Sequence, residues 1–487
     1  MKISKKVLTT VVLIALILTG CSTIGNKSNI EKEKGEGEKD IITSEDKSND
    51  SQVEVDPEIE ASINEAFEML QKHGDMSKQV WPDYDISQNN IIACEVDDIT
   101  NKINNAWKLT TTSKERLTNE QLKDLEVPPI GAYNGVKFEG KESIVIGISK
   151  DTLKDLNEVT STNFVYEVGV HEMFHLYYES FKPLLKIVKQ SNELGDRGTV
   201  FPKKAEPRVY RKMILDNLIL AFENPKDEDN YLGKAKYWNE KWKAEYSEEY
   251  NQVMLYDILE GKARYIQEMM CILYKGISEA EKINAIENMF DKSPDPSESN
   301  DSESYKLGFA AGVLLDRTNP TWKEEITKNP KTPVELLLKD VTVIEDNSSD
   351  ITEKLKTSEH QMNEVNEIIN SKLKDIKVAE SNVDIPFLKL NDKFLNGSFQ
   401  TSDFINYMGL DINTDFGGSF ENKNGNISLE EISVYSIAGK RAGYILPLTM
   451  DYEISDGRII IDANGVKGDI KVKQTKDKEG RIIYIMK

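Results

Sequence analysis

Two of the four histidines of this chain stand four residues apart, in a His-Glu-Met-Phe-His segment at 171–175. The surrounding residues predict one α-helix over Thr162–Ser180, capped by Ser161 or Thr162. Residues four apart lie on one face of a helix, so both imidazoles can reach one metal ion. Glu172 is rotated away from them and can take a proton from water as a general base. The alternative is a core helix whose histidines are satisfied by hydrogen bonds.

Two histidines do not complete a protein-bound zinc site, which needs a third ligand. His73 and His360, the other histidines, stand alone in other predicted helices. The third ligand is therefore expected to be a carboxylate. The best candidate is Glu260, in a Glu-Gly-Lys-Ala-Arg-Tyr segment at 260–265. Glu167 and Glu179 are rivals, but each lies one turn from a histidine on the same helix, and one straight helix cannot surround an ion.

The order of these motifs, HExxH and then a separate helix with Glu-Gly-x-Ala-x-Tyr, resembles the gluzincin zinc metallopeptidases over about residues 60–330. The resemblance implies zinc as cofactor, with His171, His175 and Glu260 as ligands. It implies a peptide or protein substrate, hydrolysed by water that zinc activates with Glu172 as base. The 85 residues from His175 to Glu260 exceed the spacing of the better-known gluzincins. The inserted helices, at 208–250, form a wall or lid of the cleft, or else Glu260 is the wrong glutamate.

Further residues acquire expected roles from this resemblance. Tyr305, in a Tyr-x-x-Gly pattern, matches the tyrosine of the aminopeptidase branch that donates a hydrogen bond to the developing oxyanion. Tyr265 is a second choice, and a core role for Tyr305 is the alternative. Gly261 and Ala263 are expected to let their helix close on the HExxH helix. Asp257 could orient a ligand histidine.

The segment Gly131–Gly135 loosely resembles the Gly-Ala-Met-Glu-Asn segment that binds a peptide amino terminus in aminopeptidases. Asn134 replaces the glutamate, so the amine would have no counter-charge and an exopeptidase is disfavoured. A strand or hairpin beside the cleft is the expected structure, and an edge strand there could pair with an extended peptide.

The N-terminus predicts export. Three lysines, at positions 2, 5 and 6, precede an apolar run over Val7–Leu18 that is too short to span a bilayer. The run ends in Leu-Thr-Gly-Cys21, which resembles the lipobox of bacterial lipoproteins. We therefore expect a signal peptide at 1–20, a lipid on Cys21 and attachment to the outer face of the bacterial cell membrane. An ordinary secretory signal is the alternative. Residues 21–57 are polar and predict a flexible tether.

Composition excludes several classes of protein. The chain has 62 Lys+Arg against 84 Asp+Glu, a net charge of −22, which disfavours a nucleic-acid partner. Three cysteines in 487 residues exclude a disulfide-built scaffold and a cysteine-rich metal module. Cys94 and Cys271 either pair or remain buried thiols, and the oligomeric state is left open.

The expected fold class is α+β. A mostly helical metallopeptidase domain with a small N-terminal sheet spans 58–335, and a helical spacer spans 336–384. A β-rich accessory domain, barrel-like or sandwich-like, follows over 385–487, where Gly-containing turns separate short strands. Two other functions remain alternatives: a non-enzymatic envelope or adhesion lipoprotein on a peptidase-derived fold, and a gluzincin-fold hydrolase of a non-peptide substrate.

Overall fold

The computed structural model describes residues 55–487, with gaps at 75, 98–101, 124, 126, 129, 160–161, 179, 186, 188–198, 291–299, 349–350, 396–398 and 438–442. The predicted signal peptide, the lipidated Cys21 and nearly all of the predicted tether lie outside the described residues. Among the helices that are described, none combines the length and the apolar composition needed to cross a bilayer.

Helices dominate the first three quarters of the described chain. They are α1 Pro57–His73, α2 Ser77–Val80, α3 Asn119–Leu122, α4 Lys150–Val159, α5 Phe164–Tyr178, α6 Ala205–Glu223, α7 Glu228–Glu245, α8 Ser247–Tyr274, α9 Glu279–Met289, α10 Asn300–Thr318, α11 Trp322–Lys328, α12 Pro333–Leu337, α13 Ile351–Lys372 and α14 Lys374–Ser381.

The strands fall before α4 and after α14, apart from one short strand. They are β1 Asn90–Val96, β2 Ile103–Leu109, β3 Lys114–Arg116, β4 Tyr133–Phe138, β5 Lys141–Ile148, β6 Thr199–Val200, β7 Phe387–Asn391, β8 Asp403–Tyr407, β9 Leu410–Asn422, β10 Gly425–Ile437, β11 Gly443–Pro447, β12 Glu453–Ser455, β13 Arg458–Ala463, β14 Val466–Lys476 and β15 Ile482–Met486. The sequence therefore predicted the α+β organisation correctly, with a small N-terminal and a larger C-terminal sheet.

The N-terminal sheet has the order β3-β2-β1-β5-β4, with β1 and β5 parallel and the other pairs antiparallel. Strand β1 is buried along its whole length. Ile91 and Ala93 belong to the large helical core, whereas Ile92 and Cys94 belong to a smaller cluster on the opposite face. Burial on both faces explains why β1 is apolar without alternation. Strand β4 lies at the edge of this sheet.

Close helix packing positions the elements that carry the HExxH and Glu-Gly segments. Helix α5 lies against β1, where a methyl group on Gly169 would overlap the side chain of Ile91. Helices α8 and α10 meet at two glycines, since a Cβ on Gly261 would lie 2.9 Å from the Cα of Gly308. The sequence prediction for Gly261 was thus wrong in its partner: this glycine lets α8 approach α10, not the HExxH helix.

The Gly261–Gly308 contact predicts a large effect of one methyl group. In Gly308→Ala the new Cβ would overlap the backbone of Gly261. Because neither backbone can move without displacing its helix, we expect the free energy of unfolding to fall by about 3 kcal/mol and the apparent Tm by about 5 °C or more. Gly417→Ala is the control, because its Cβ would have no neighbour closer than 3.8 Å. Equal melting temperatures for the two variants would show that α8 and α10 do not pack in this way.

The C-terminal strands close a ring. Strand pairings run β14–β15–β7–β11–β10 and return from β10 to β14. A separate apolar cluster, drawn from residues 388–486, fills this part of the chain. Its inner aromatic side chains include Phe416, Phe420 and Tyr444.

The helices α13 and α14 connect the two parts of the molecule. Lys354 on α13 lies 3.4 Å from Asp216 on α6. At the other end of α13, Lys372 forms ion pairs of 3.2 Å and 2.8 Å with Asp403 and Asp415 on β8 and β9. Helix α13, within the predicted spacer, is therefore anchored by ion pairs near both of its ends.

The two remaining cysteines are unpaired thiols. Cys94 lies on β1 and Cys271 on α8, and both are fully buried. Burial raises the pKa of Cys94 to about 12, so this thiol is neutral at physiological pH. Cys94 and Cys271 therefore do not form the disulfide that the sequence left open.

Candidate metal centre

The two histidines of the HExxH segment converge as their spacing predicts. His171 and His175 lie one turn apart on α5, both almost fully buried, with their Nε2 atoms 3.1 Å apart. The helix is capped by Asn163, which accepts a hydrogen bond from the backbone of Tyr166 at 3.2 Å, and not by Thr162, whose hydroxyl donates to Glu167; Ser161, the other predicted cap, lies outside the described residues. The cap starts α5 two turns before His171.

Glu260 on α8 completes a three-residue cluster with these histidines. Its Oε2 atom lies 3.3 Å from Nε2 of His171 and 3.3 Å from Nε2 of His175. Zinc bonds of about 2.0–2.2 Å at tetrahedral angles place neighbouring ligand atoms about 3.3–3.5 Å apart. The three atoms form a nearly equilateral triangle of that size, so the residues fit a zinc ion with two nitrogen ligands and one oxygen ligand.

Glu172 lies beside this triangle rather than in it. Its Oε1 atom is 3.8 Å from Nε2 of His171, longer than the histidine distances to Glu260. His171, Glu172 and His175 also form a group whose potential ligand atoms lie within 4.8 Å of one another. Glu260 is the better candidate ligand because its Oε2 atom lies 3.3 Å from Nε2 of both histidines, closer than Oε1 of Glu172 lies to His171.

The second nitrogen of His171 is held by a side chain that the sequence prediction missed. Nδ1 of His171 lies 3.1 Å from Oε1 of Gln267, and Nε2 of Gln267 donates to Glu167 at 3.0 Å. Gln267 follows Glu260 by seven residues, so both lie on the face of α8 that meets α5. That helical spacing is the signal that could have identified Gln267.

Glu167, a rival ligand in the sequence prediction, points away from the cluster. Its Oε1 atom accepts hydrogen bonds from the backbone nitrogen of Thr162 at 2.5 Å and from the Thr162 hydroxyl at 2.9 Å. Burial and the nearby Glu268 raise the pKa of Glu167, while Arg264 and the bonds from Thr162 act in the opposite direction. The other rival, Glu179, lies outside the described residues.

Asp257 does not orient a ligand histidine, contrary to the prediction. It accepts two hydrogen bonds from Arg211 on α6, at 3.0 Å and 2.8 Å, and one from Ser304 on α10 at 2.6 Å. Arg211 is almost fully buried and also donates to Glu303 at 2.6 Å. Helix α6, part of the long insertion, is thus joined to α8 and α10 by buried ion pairs.

Tyr305 stands beside the cluster. Its ring lies edge-on to His171, with centroids 5.5 Å apart, and its side chain is buried. It precedes Gly308 by one helical turn, so the close contact of α8 with α10 brings it there. Tyr265, the second choice, is committed elsewhere because its hydroxyl donates to Asp316.

The edge strand β4 borders the end of α5. A Cβ on Gly135 would lie 3.7 Å from Cδ2 of Leu176, the residue after His175. Side chains alternate along a strand, so Asn134 faces the other side of the sheet and away from α5. The predicted hairpin is confirmed by the antiparallel pairing of β4 with β5.

The remaining histidines take no part in the cluster. His73 is buried against the hydroxyl of Tyr166, and burial lowers its pKa to about 4. His360 is exposed on α13, 3.7 Å from Glu364. Comparison of the chain with protein-family models, with curated proteins and with solved structures found no match.

Proposed function

We propose that this chain is a zinc-dependent metallopeptidase of the gluzincin type, anchored by a lipid on Cys21 at the outer face of the bacterial cell membrane. The single observation that carries the proposal is the position of Glu260, whose Oε2 lies 3.3 Å from Nε2 of both histidines. Glu260 was selected from the sequence because its segment resembles a ligand segment. In the structure it contacts both histidines, although it follows His175 by 85 residues. The distances of 3.1–3.3 Å between the three candidate ligand atoms are close to those expected around a tetrahedral zinc ion, which supports the metal assignment.

A zinc ion held by His171, His175 and Glu260 would supply Lewis acidity, activating water and polarising the scissile carbonyl. The carboxylate of Glu172, within 4 Å of His171, would accept the proton from the attacking water and return it to the leaving amine. Tyr305, whose ring lies beside His171, would donate a hydrogen bond to the oxygen of the attacked carbonyl. Burial of all these side chains strengthens each interaction by excluding water.

A peptide substrate is favoured by the edge strand. Strand β4 pairs with β5 on one side and has no strand on the other among the described residues. An extended peptide can add to such an edge through main-chain hydrogen bonds. Because Gly135 on β4 lies beside Leu176, a peptide on this edge would run past His175.

Metal dependence tests the proposal. The full-length protein, purified in detergent, is expected to contain one zinc per chain and to cleave an unfolded protein such as reduced casein. Chelation should abolish cleavage and added zinc should restore it, because the ligands remain in place when the metal leaves. The measurement is metal content by mass spectrometry beside the rate of substrate loss.

The other outcomes separate the alternatives. A protein without bound metal after zinc loading would overturn the proposal and favour a non-enzymatic envelope lipoprotein. A protein that binds zinc but cleaves no peptide, whether folded or unfolded, would favour a hydrolase of a non-peptide substrate. Intact Glu172 argues against a purely structural zinc site, which needs no base.

A further inference from the structure

The Nδ1 atom of His171 begins a chain of hydrogen bonds that ends in the backbone before α5. We propose that Thr162, Glu167 and Gln267 form a relay that fixes the tautomer of His171 and so prepares its Nε2 to bind metal. The relay runs from Thr162 to Glu167, from Gln267 to Glu167, and from His171 to Gln267. It deepens the proposed function, because it concerns the same histidine.

When Glu167 carries its charge, the form that the bonds from Thr162 and the nearby Arg264 favour, the direction of each bond in the relay follows from the one before it. Thr162 offers two donors, its N–H and its hydroxyl, to one oxygen of Glu167. The other oxygen of that carboxylate also only accepts, so Gln267 must present its NH₂ group there. The carbonyl end of the same amide then faces His171, and Nδ1 must carry the ring proton. Nε2 then needs no ring proton, and its lone pair is available for a metal ion shared with Glu260 and His175.

This arrangement gives Glu167 a role although it does not touch the ligand triangle. All of the relay side chains except Thr162 are almost fully buried, so water does not compete for their bonds. An acceptor on Nδ1 of a ligand histidine is common in metal sites, and its loss typically costs about 10–100-fold in affinity. In this chain the acceptor that contacts His171 is the neutral amide of Gln267. The carboxylate of Glu167 contacts that amide and not the histidine.

Glu167→Gln changes one atom of the relay and keeps its shape. The new amide should direct its oxygen toward the two hydrogen-bond donors of Thr162 and its NH₂ group toward Gln267. Gln267 must then turn its own oxygen to position 167 and its NH₂ group to His171. Nδ1 becomes an acceptor, the ring proton moves to Nε2, and the affinity for zinc is expected to fall by about 10–100-fold.

The exchange of the two side chains should restore the relay. In Gln267→Glu alone, two carboxylates would face each other across the present 3.0 Å bond, which is repulsive, so we expect weaker zinc binding. In the double variant Glu167→Gln with Gln267→Glu, the amide at 167 accepts from Thr162 and donates to the carboxylate at 267. That carboxylate accepts from Nδ1 of His171, so every donor again has an acceptor.

The matched control is Glu268→Gln. Glu268 is a buried carboxylate on the same helix, next to Gln267, but its ion-pair partner is Arg264. The variant removes the same charge from the same region, and none of the hydrogen bonds of the relay involves Glu268. Its zinc affinity should stay within about threefold of the wild-type value, which separates the relay from a general loss of buried charge.

Two measurements on the full-length protein test the relay. Zinc affinity is measured by competition with a chromophoric chelator. The tautomer of His171 is measured in metal-free protein from ring-nitrogen NMR shifts, which is practical because the chain has four histidines. We expect a proton on Nδ1 in the wild type and in the double variant, and none on Nδ1 in Glu167→Gln.

The outcomes are distinct from those of the proposed function. Affinity that falls in Glu167→Gln and recovers to within about threefold of the wild-type value in the double variant supports the relay. Equal affinities and equal tautomers in wild type and Glu167→Gln would overturn it. Failure of the double variant to improve on Glu167→Gln would do the same. Wild-type protein that binds no zinc would overturn the proposed peptidase function. The NMR shifts of the metal-free protein would still test whether the relay places a proton on Nδ1 of His171.

Discussion

Glu172→Gln is expected to retain zinc and to lose peptide hydrolysis by about two to four decades, the usual contribution of a positioned general base. The amide keeps the shape of the side chain and leaves His171, His175 and Glu260 unchanged. It cannot accept a proton from water, so the loss should appear in kcat while KM changes little. Hydrolysis rates and metal content of the same preparation measure both effects.

An exposed glutamate on helix α7 provides the control for this variant. Glu240 on α7 has a side chain that is 55% exposed, and Glu240→Gln should hydrolyse peptide at the wild-type rate. If Glu172→Gln is equally active, Glu172 is not the base and hydrolysis by activated water is the wrong chemistry. If Glu172→Gln instead loses its zinc, this residue is a ligand and the assignment of Glu260 must be reconsidered.

The parts of the site that could be predicted from sequence are those set by local spacing. His171 and His175 converge because a helix places residues four apart on one face, whatever surrounds it. Glu260 could be proposed from its segment, yet its contact with α5 depends on how α8 packs. Gln267 was missed for the same reason: a polar residue on a helix acquires a role only when the opposite surface is known.

Tertiary contacts also explain the wrong predictions. The residue pattern around Gly261 indicated a close helix contact but not the partner, which is Gly308 on α10. Asp257 looked like a partner for a histidine because it lies one turn from Glu260. The buried Arg211, 46 residues earlier, forms a two-pronged ion pair with it instead.

The order of the strands in the C-terminal part also depends on tertiary contacts that local sequence does not predict. The Gly-containing turns marked short strands correctly, since turn chemistry is local. The parallel pairing of β7 with β15, which joins Phe387 to Ile483, links segments about a hundred residues apart. No local pattern encodes that register, so the sequence predicted a barrel-like or sandwich-like domain without choosing between them.

Glu260→Gln is expected to fail in a different way from Glu172→Gln, although both replace a buried glutamate next to the same histidines. It removes the charged ligand that completes the triangle, so zinc affinity should fall by more than about 100-fold, beyond the usual effect of a side chain that only supports a ligand. Activity should return in part when zinc is added in excess, because Glu172 and both histidines remain.

Zinc content and hydrolysis of the two variants, measured side by side across a range of zinc concentrations, distinguish ligand from base. Rescue of Glu260→Gln by zinc, with no rescue of Glu172→Gln, assigns the two roles as proposed. Zinc binding by Glu260→Gln as tight as in the wild type would place the third ligand elsewhere. Glu167 would not replace it without breaking its bonds to Thr162 and Gln267, so Glu172 itself would be the next candidate. A site in which Glu172 binds the metal has no free base beside it, and the peptidase assignment would then fail together with the ligand assignment.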